Sequence, residues 1–111
     1  MVCKINQLRA RMHANEQLTG LWCSMTSTTA VEALSTLAYD WFLLDMEHAP
    51  NELPDIVSQL RVLDSSSVAP VVRPPCNDRV LIKRMLDAGV KNFLFPYVQS
   101  LEEALEIVRA T

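Results

Sequence analysis

The chain has two glycines in 111 residues, Gly20 and Gly89, which leaves no room for a Gly-x-Gly-x-x-Gly phosphate cradle. The first strand-to-helix turn, "SMTSTT", has no such loop, so a dinucleotide-binding sheet is disfavoured. Cysteines are few and far apart: Cys3, Cys23 and Cys76 form no Cys-x-x-Cys or Cys/His ligand spacing. Neither a zinc site nor a disulfide framework follows, and reduced thiols suit a cytosolic compartment. No apolar run approaches the ~20 residues of a membrane span. The opening "MVCKINQLRARMHANEQ" lacks the apolar stretch of a signal peptide. No basic stripe is present either. The net charge is −3, and Lys4, Arg9, Arg11, Arg61, Lys83 and Arg84 are scattered. A nucleic-acid surface needs clustered cations. These absences lead us to expect a soluble cytoplasmic protein with no nucleic-acid and no membrane partner.

Half of the residues are hydrophobic and 21% are charged, a globular composition sized for one domain. Short apolar runs alternate with helical periodicity. A leading helix is expected over about 4–14. Four strand–helix units should follow, over about 19–38, 40–64, 68–89 and 91–110. The expected strands are "TGLWCSM", "DWFLLDM", "VAPVVRP" and "KNFLFPY". Their near-continuous apolar character fits parallel strands buried on both faces. Ser27 or Thr28 reads as a helix N-cap. Pro54 falls in a first turn, where a missing N–H is harmless. Gly89 reads as a C-cap, and Ser100 with Glu103 as a capping box. Such α/β units build either an open sheet or an eight-stranded (β/α)8 TIM barrel. A barrel runs to ~250 residues, so residues 1–111 read as the N-terminal half of one, a leading helix and four βα units. A small complete open sheet is the alternative.

In a barrel the chemistry sits where strands end. The second expected strand ends in Asp45, Glu47 and His48, and the third in Arg73. Ser24 and Thr26 follow the first, and Pro96, Tyr97 and Gln99 the fourth. Carboxylates, an imidazole and a guanidinium on one rim suit acid–base chemistry on a small oxyanion. Plainer readings stand beside this one. Asp45 could cap the next segment, Glu47 could be solvated, and His48 could bond backbone. Asp87 reads as a solvated helix-face carboxylate. Arg73 is harder to dismiss, because a buried guanidinium needs an anionic partner. Trp22, Trp41 and the methionines Met12, Met25, Met46 and Met85 read as core. Cys76 has no evident base beside it.

The segments "GLWCSM", "DWFLLDMEHAPNE", "PVVRPPCNDRVLIKRMLDAGVKNFLFPYVQS" and "EEALEIVRAT" strongly resemble the HpcH/HpaI aldolases, from about Gly20 to Thr111. The specific part is Asp-x-Glu-His-Ala-Pro together with Val-Arg-Pro-x-x-Asn-Asp. The resemblance implies a TIM barrel that cleaves 4-hydroxy-2-oxo acids reversibly to pyruvate and an aldehyde. It implies His48 as acid–base residue for the C4 hydroxyl, Asp87 as its carboxylate partner, and Arg73 on the pyruvate oxygens. Asp45 resembles a substrate-binding carboxylate, and Asp45 and Glu47 an acidic pair beside a metal, acting through water. The cofactor implied is a divalent cation, Mg, Mn or Co. Its direct ligands, a Glu and an Asp from later strands, have no counterpart in these residues. The partners implied are the 2-oxo acid, pyruvate and, for a full-length chain, further copies of itself. Little or no activity is therefore expected of the 111 residues alone. A non-catalytic half-barrel that self-associates or binds a partner is the competing expectation.

Overall fold

A computed structural model describes residues 5–111; Cys3 and the Lys4 start of the expected leading helix lie outside the described residues. The order is α1 (Gln7–His13), β1 (Gly20–Cys23), α2 (Thr28–Leu34), β2 (Trp41–Asp45), α3 (Leu53–Leu63), β3 (Ala69–Arg73), α4 (Arg79–Asp87) and α5 (Leu101–Ala110). The three strands form one parallel sheet in the order β1-β2-β3. Trp41 stands beside Gly20 on one side and Ala69 on the other, and Asp45 stands beside Arg73.

Side chains alternate across this sheet. Phe42, Leu44 and Val72 face the helices and are fully buried, packed with Val31, Ile56, Met85 and others in one core. Trp22, Trp41, Leu43, Asp45, Val71 and Arg73 take the opposite, inner face. Gly20 is required there. A Cβ built on it would lie 2.0–2.3 Å from atoms of the Trp41 ring, which occupies that space.

The expected N-caps at Ser27 and Ser100 hold: the Ser27 hydroxyl accepts from Ala30 N and the Ser100 hydroxyl from Glu103 N. Asp78, which was not singled out from sequence, caps α4 by accepting from Leu81 N. Glu103 reaches back to the Ser100 N–H, closing the capping box. Gly89 sits just past α4 with φ +102. Its N–H meets Leu86 O while Val90 N meets Met85 O, a Schellman ending.

The fourth expected strand is not formed. Residues 91–97 touch β3 through a single bridge, Val72 to Phe93. Val72 N donates to Asn92 O at 2.9 Å and Leu94 N to Val72 O at 3.0 Å. The limit is proline. The backbone groups of residues 70, 72 and 74 point to this side of β3, and Pro70 and Pro74 have no N–H. A side chain makes up part of the loss, as Asn92 Nδ2 donates to Pro70 O at 3.0 Å. The same Asn92 accepts from Asn6 Nδ2 at 2.7 Å, so two amides tie the start of α1 to the base of the sheet.

Three assignments of core are corrected. Trp22 is 47% exposed on the inner face, and Met12 and Met25 are 62% and 54% exposed. Met46 and Met85 are buried as expected. Among the described residues, no helix is long and apolar enough to cross a membrane.

Candidate active site at the strand ends

Strand parity puts Asp45 on the inner face, and sheet register puts Arg73 next to it. The two make a paired contact: Arg73 Nε donates to Asp45 Oδ1 at 2.9 Å and Nη2 to Oδ2 at 2.7 Å. Asp45 is 1% exposed and the Arg73 side chain 16%. The indole Nε1 of Trp22 donates to Asp45 Oδ2 at 3.2 Å, and the guanidinium lies 4.8 Å from the centre of the Trp22 ring. Stacking on an aromatic face adds cation–π attraction. Trp22 is therefore part of the site. Sequence reasoning placed it in the core, because only the register of β1 against β2 shows which face its ring takes.

The turn after β2 is built on the same carboxylate. Glu47 N and His48 N both approach Asp45 Oδ1, at 3.0 and 3.4 Å. Asn51, 2% exposed, donates to Asp45 O at 2.7 Å and accepts from Gln59 Nε2 at 2.9 Å. Asn51 and Gln59 were not singled out from sequence, because an amide says little until its partners are known. Gln59 Oε1 is buried without a partner among the described residues. The Arg73 hydrogen bonds, above all, hold the Asp45 carboxyl well below the usual carboxylate range; burial opposes them, and the Trp22 and backbone N–H groups add to them. Asp45 in turn raises the Arg73 guanidinium further. Both are charged at any working pH.

The five donors occupy the acceptor positions of the Asp45 carboxylate, so the expected contact with substrate would have to displace one of them. Arg73 is different. Nη1 also forms an ion pair with Glu47 Oε1 at 3.2 Å. The hydrogen bonds to Asp45 use two of the five guanidinium N–H groups, so both N–H groups of Nη1 and one of Nη2 make no hydrogen bond among the described residues. Glu47 Oε1 is shared with His48 Nε2 at 2.9 Å, and the imidazole is 73% exposed. Trp22, Asp45, Arg73, Glu47 and His48 thus form one continuous chain of contacts.

Asp87 does not join it. It is the last residue of α4, exposed, with no ion pair to His48 within 4.0 Å. Strand-to-helix connections lie at the rim, so the far end of α4 lies toward the opposite end of the sheet. Tyr97, at the end of the 91–97 segment, and Gln99 beyond it are exposed, and Tyr97 has φ +56. Cys76 is exposed and Cys23 buried; burial pushes the Cys23 thiol up.

A metal does not fit these residues alone. The Asp45 oxygens are taken, leaving Glu47 Oε2 as the one open carboxylate oxygen in the cluster. Among the described residues, no group of three or more His, Cys, Asp or Glu side chains could hold an ion.

The chain is similar to known proteins in sequence and in fold. A hydroxypyruvate/pyruvate aldolase of Paraburkholderia phytofirmans is 44% identical over 108 residues, 96% of this chain and 42% of its own length. A 5-keto-4-deoxy-D-glucarate aldolase of Enterobacter sp. is 43% identical, matching 96% of this chain and 41% of its own. The chain thus spans about two fifths of the relatives it matches. A crystal structure of an HpcH/HpaI aldolase/citrate lyase family protein from Burkholderia cenocepacia superposes with a TM-score of 0.93 at 43% identity, covering 96% of this chain and 43% of that one. An HpcH/HpaI aldolase from Desulfitobacterium hafniense gives 0.83 at 30% identity, over 92% and 40%. The sheet and helices described above are therefore part of a TIM barrel. The family model for HpcH/HpaI aldolase/citrate lyase matches residues 18–111, and the chain belongs to that family.

Proposed function

We propose that these residues carry the acid–base and charge-clamping part of an aldolase that cleaves 4-hydroxy-2-oxo acids reversibly to pyruvate and an aldehyde. The observation that carries the reading is Arg73, held by Asp45, Glu47 and Trp22 with N–H groups on both Nη atoms still without a hydrogen bond among the described residues. A fixed guanidinium suits the two oxygens of a 2-oxo acid and the negative charge that grows on them as the carbon–carbon bond breaks. His48 takes the proton from the C4 hydroxyl in the cleavage direction and returns it in condensation. Glu47 keeps the imidazole beside the guanidinium. Asp45 acts one step back, by holding Arg73. A divalent cation, Mg, Mn or Co, would supply further charge neutralisation in this family, but these residues do not make a site for it. Turnover by the 111 residues alone is accordingly expected to be slight.

The test is a chimera in which this chain replaces the matching segment of the Paraburkholderia relative. Pyruvate release from a 4-hydroxy-2-oxo acid, with Mn²⁺ or Mg²⁺ added, is expected. Removal of a general base costs typically 10²–10⁴-fold, and His48→Ala should fall by that order. A folded chimera that releases no pyruvate, or one indifferent to His48→Ala, would sink the reading.

A further inference from the structure

Among the described residues, the buried polar side chains are Asp45, Asn51 and Gln59. All three belong to one line of contacts that runs from the middle of α3 to the rim. Gln59 lies on the buried side of α3, with Ile56 and Leu63. Helical spacing calls for another apolar residue there. An amide stands in its place. Its Nε2 donates to Asn51 Oδ1, and Asn51 Nδ2 donates to Asp45 O. The line is enclosed from both sides, because β1 and β3 flank β2 and α2 packs on α3.

The line can be assembled in one direction only. Asp45 O is an acceptor, so Asn51 must turn its NH2 toward it. The ladder to β1 stops one residue earlier, at Cys23 and Leu44, so this side chain serves where a strand neighbour is lacking. Asn51 Oδ1 then faces α3, and Gln59 must answer with its own NH2. The Gln59 carbonyl is left over, which is why Oε1 is buried without a partner among the described residues. An unpaired buried acceptor is destabilising. Remove both amides, however, and Asp45 O is the oxygen left without a donor. The amides therefore do not abolish the unpaired oxygen. They move it from the end of β2, where a turn begins, into the middle of a packed helix.

That turn carries Glu47 and His48. Its start is tied down by Met46 N, which donates to Arg73 O at 2.9 Å. Its two ends are drawn together by the bond from Asn51 to Asp45 O. The His48 side chain is largely exposed, so its place is set from beneath. We infer that Asn51 and Gln59 are positioning residues: the buried amides fix the Asp45–Asn51 turn and so set where Glu47 and His48 stand relative to Arg73. The inference deepens the aldolase reading and rests on it for its effect on turnover. Arg73 is held separately, by the Asp45 side chain. Loosening the turn therefore slows proton transfer by His48 and spares the binding of substrate by Arg73.

The chimera described above carries the test, as Gln59→Met and as Asn51→Leu combined with Gln59→Met. Each change leaves one unpaired oxygen, as before, so the urea midpoint is expected to hold. A small misplacement of a reacting group costs up to about 100-fold, and kcat should fall by roughly tenfold to 100-fold. KM should stay within about threefold of the parent, the mark of an interaction that serves turnover and not binding. The Glu47 and His48 amides, which donate to Asp45 Oδ1, should exchange about tenfold faster, with the β3 amides unchanged. Should the single variant not fold, the double one, which leaves no half-made amide pair, decides; failure of both to fold would assign the amides to stability and overturn the inference. An unchanged kcat in folded protein overturns it as well. So does a rise in KM that matches the loss in kcat, which would place the amides beneath Arg73. A parent chimera that releases no pyruvate defeats the aldolase reading by itself. Exchange then decides the positioning alone: faster Glu47 and His48 amides support it, and unchanged ones overturn it.

Discussion

Asp45 accepts from five donors on four residues: two nitrogens of Arg73, the Trp22 indole and the N–H groups of Glu47 and His48. Few carboxylates are so committed, and the commitment makes the site sensitive to acid. A carboxyl whose folded-state pKa lies below its unfolded value of ~3.9 contributes stability that is complete above that pH and is lost as pH falls. The chain should therefore weaken progressively below about pH 4, the ordinary carboxylate range. Asp45→Asn removes the charge and leaves the partly buried guanidinium with Glu47 alone. Breaking one side of a buried pair costs about 3–5 kcal/mol, and the variant should sit near the lower end of that range at neutral pH. It should also lose part of the acid dependence. Urea midpoints for both proteins at several pH values check this; equal stabilities at neutral pH would show that Arg73 does not depend on Asp45. The identity of this cluster was partly legible in sequence. Asp45, Glu47, His48 and Arg73 all close apolar runs, and adjacent parallel strands end on the same side. Trp22 was not legible. A tryptophan in an apolar run looks like core, and only the register of β1 against β2 reveals that its ring faces Arg73.

The elements were read more securely where a cap announces them. Ser27, Ser100 and Gly89 each mark a helix end by a local hydrogen bond, which depends on few residues and survives any tertiary context. The segment 91–97 shows the opposite case. Its apolar pattern is that of a strand, but a strand is made by its neighbour. Here the neighbour presents prolines at 70 and 74 on the side that must donate. The two glycines also differ in kind. Gly20 is needed for space, because the Trp41 ring occupies the position of its missing Cβ. Gly89 has nothing within 4 Å of that position, but its φ is +102. Gly89→Ala should thus cost about 1–2 kcal/mol of backbone strain alone. The measurement is a thermal midpoint, with fraying at the end of α4 followed by exchange at the Gly89 and Val90 amides. No loss would mean that the chain there relaxes to an ordinary helix end.

At the scale of the molecule, one core carries the fold. Phe42 lies at its centre in the middle strand, fully buried, beside Leu44, Val72 and Ile56. Truncating a buried aromatic costs about 3–5 kcal/mol, which is a large part of the ~5–15 kcal/mol that holds a domain of this kind together. Phe42→Ala should lower the urea midpoint by a corresponding fraction, or unfold the chain at 37 °C. A loss below 1 kcal/mol would place the main core elsewhere. The architecture was readable because alternating strand and helix periods are repeated along the chain. The tie between its two ends was not. Asn6 and Asn92 meet across 86 positions of sequence, and an isolated asparagine carries no sign of so distant a partner. That tie has a consequence for birth order. Chains are made from the N-terminus at roughly 5–20 residues per second. Helix α1 therefore leaves the ribosome ahead of the strands it packs on, and it must wait several seconds for Asn92 to appear. Its buried residue, Leu8, has no floor to dock against until β2 and β3 exist. A helix made before its dock is among the last elements to be fastened.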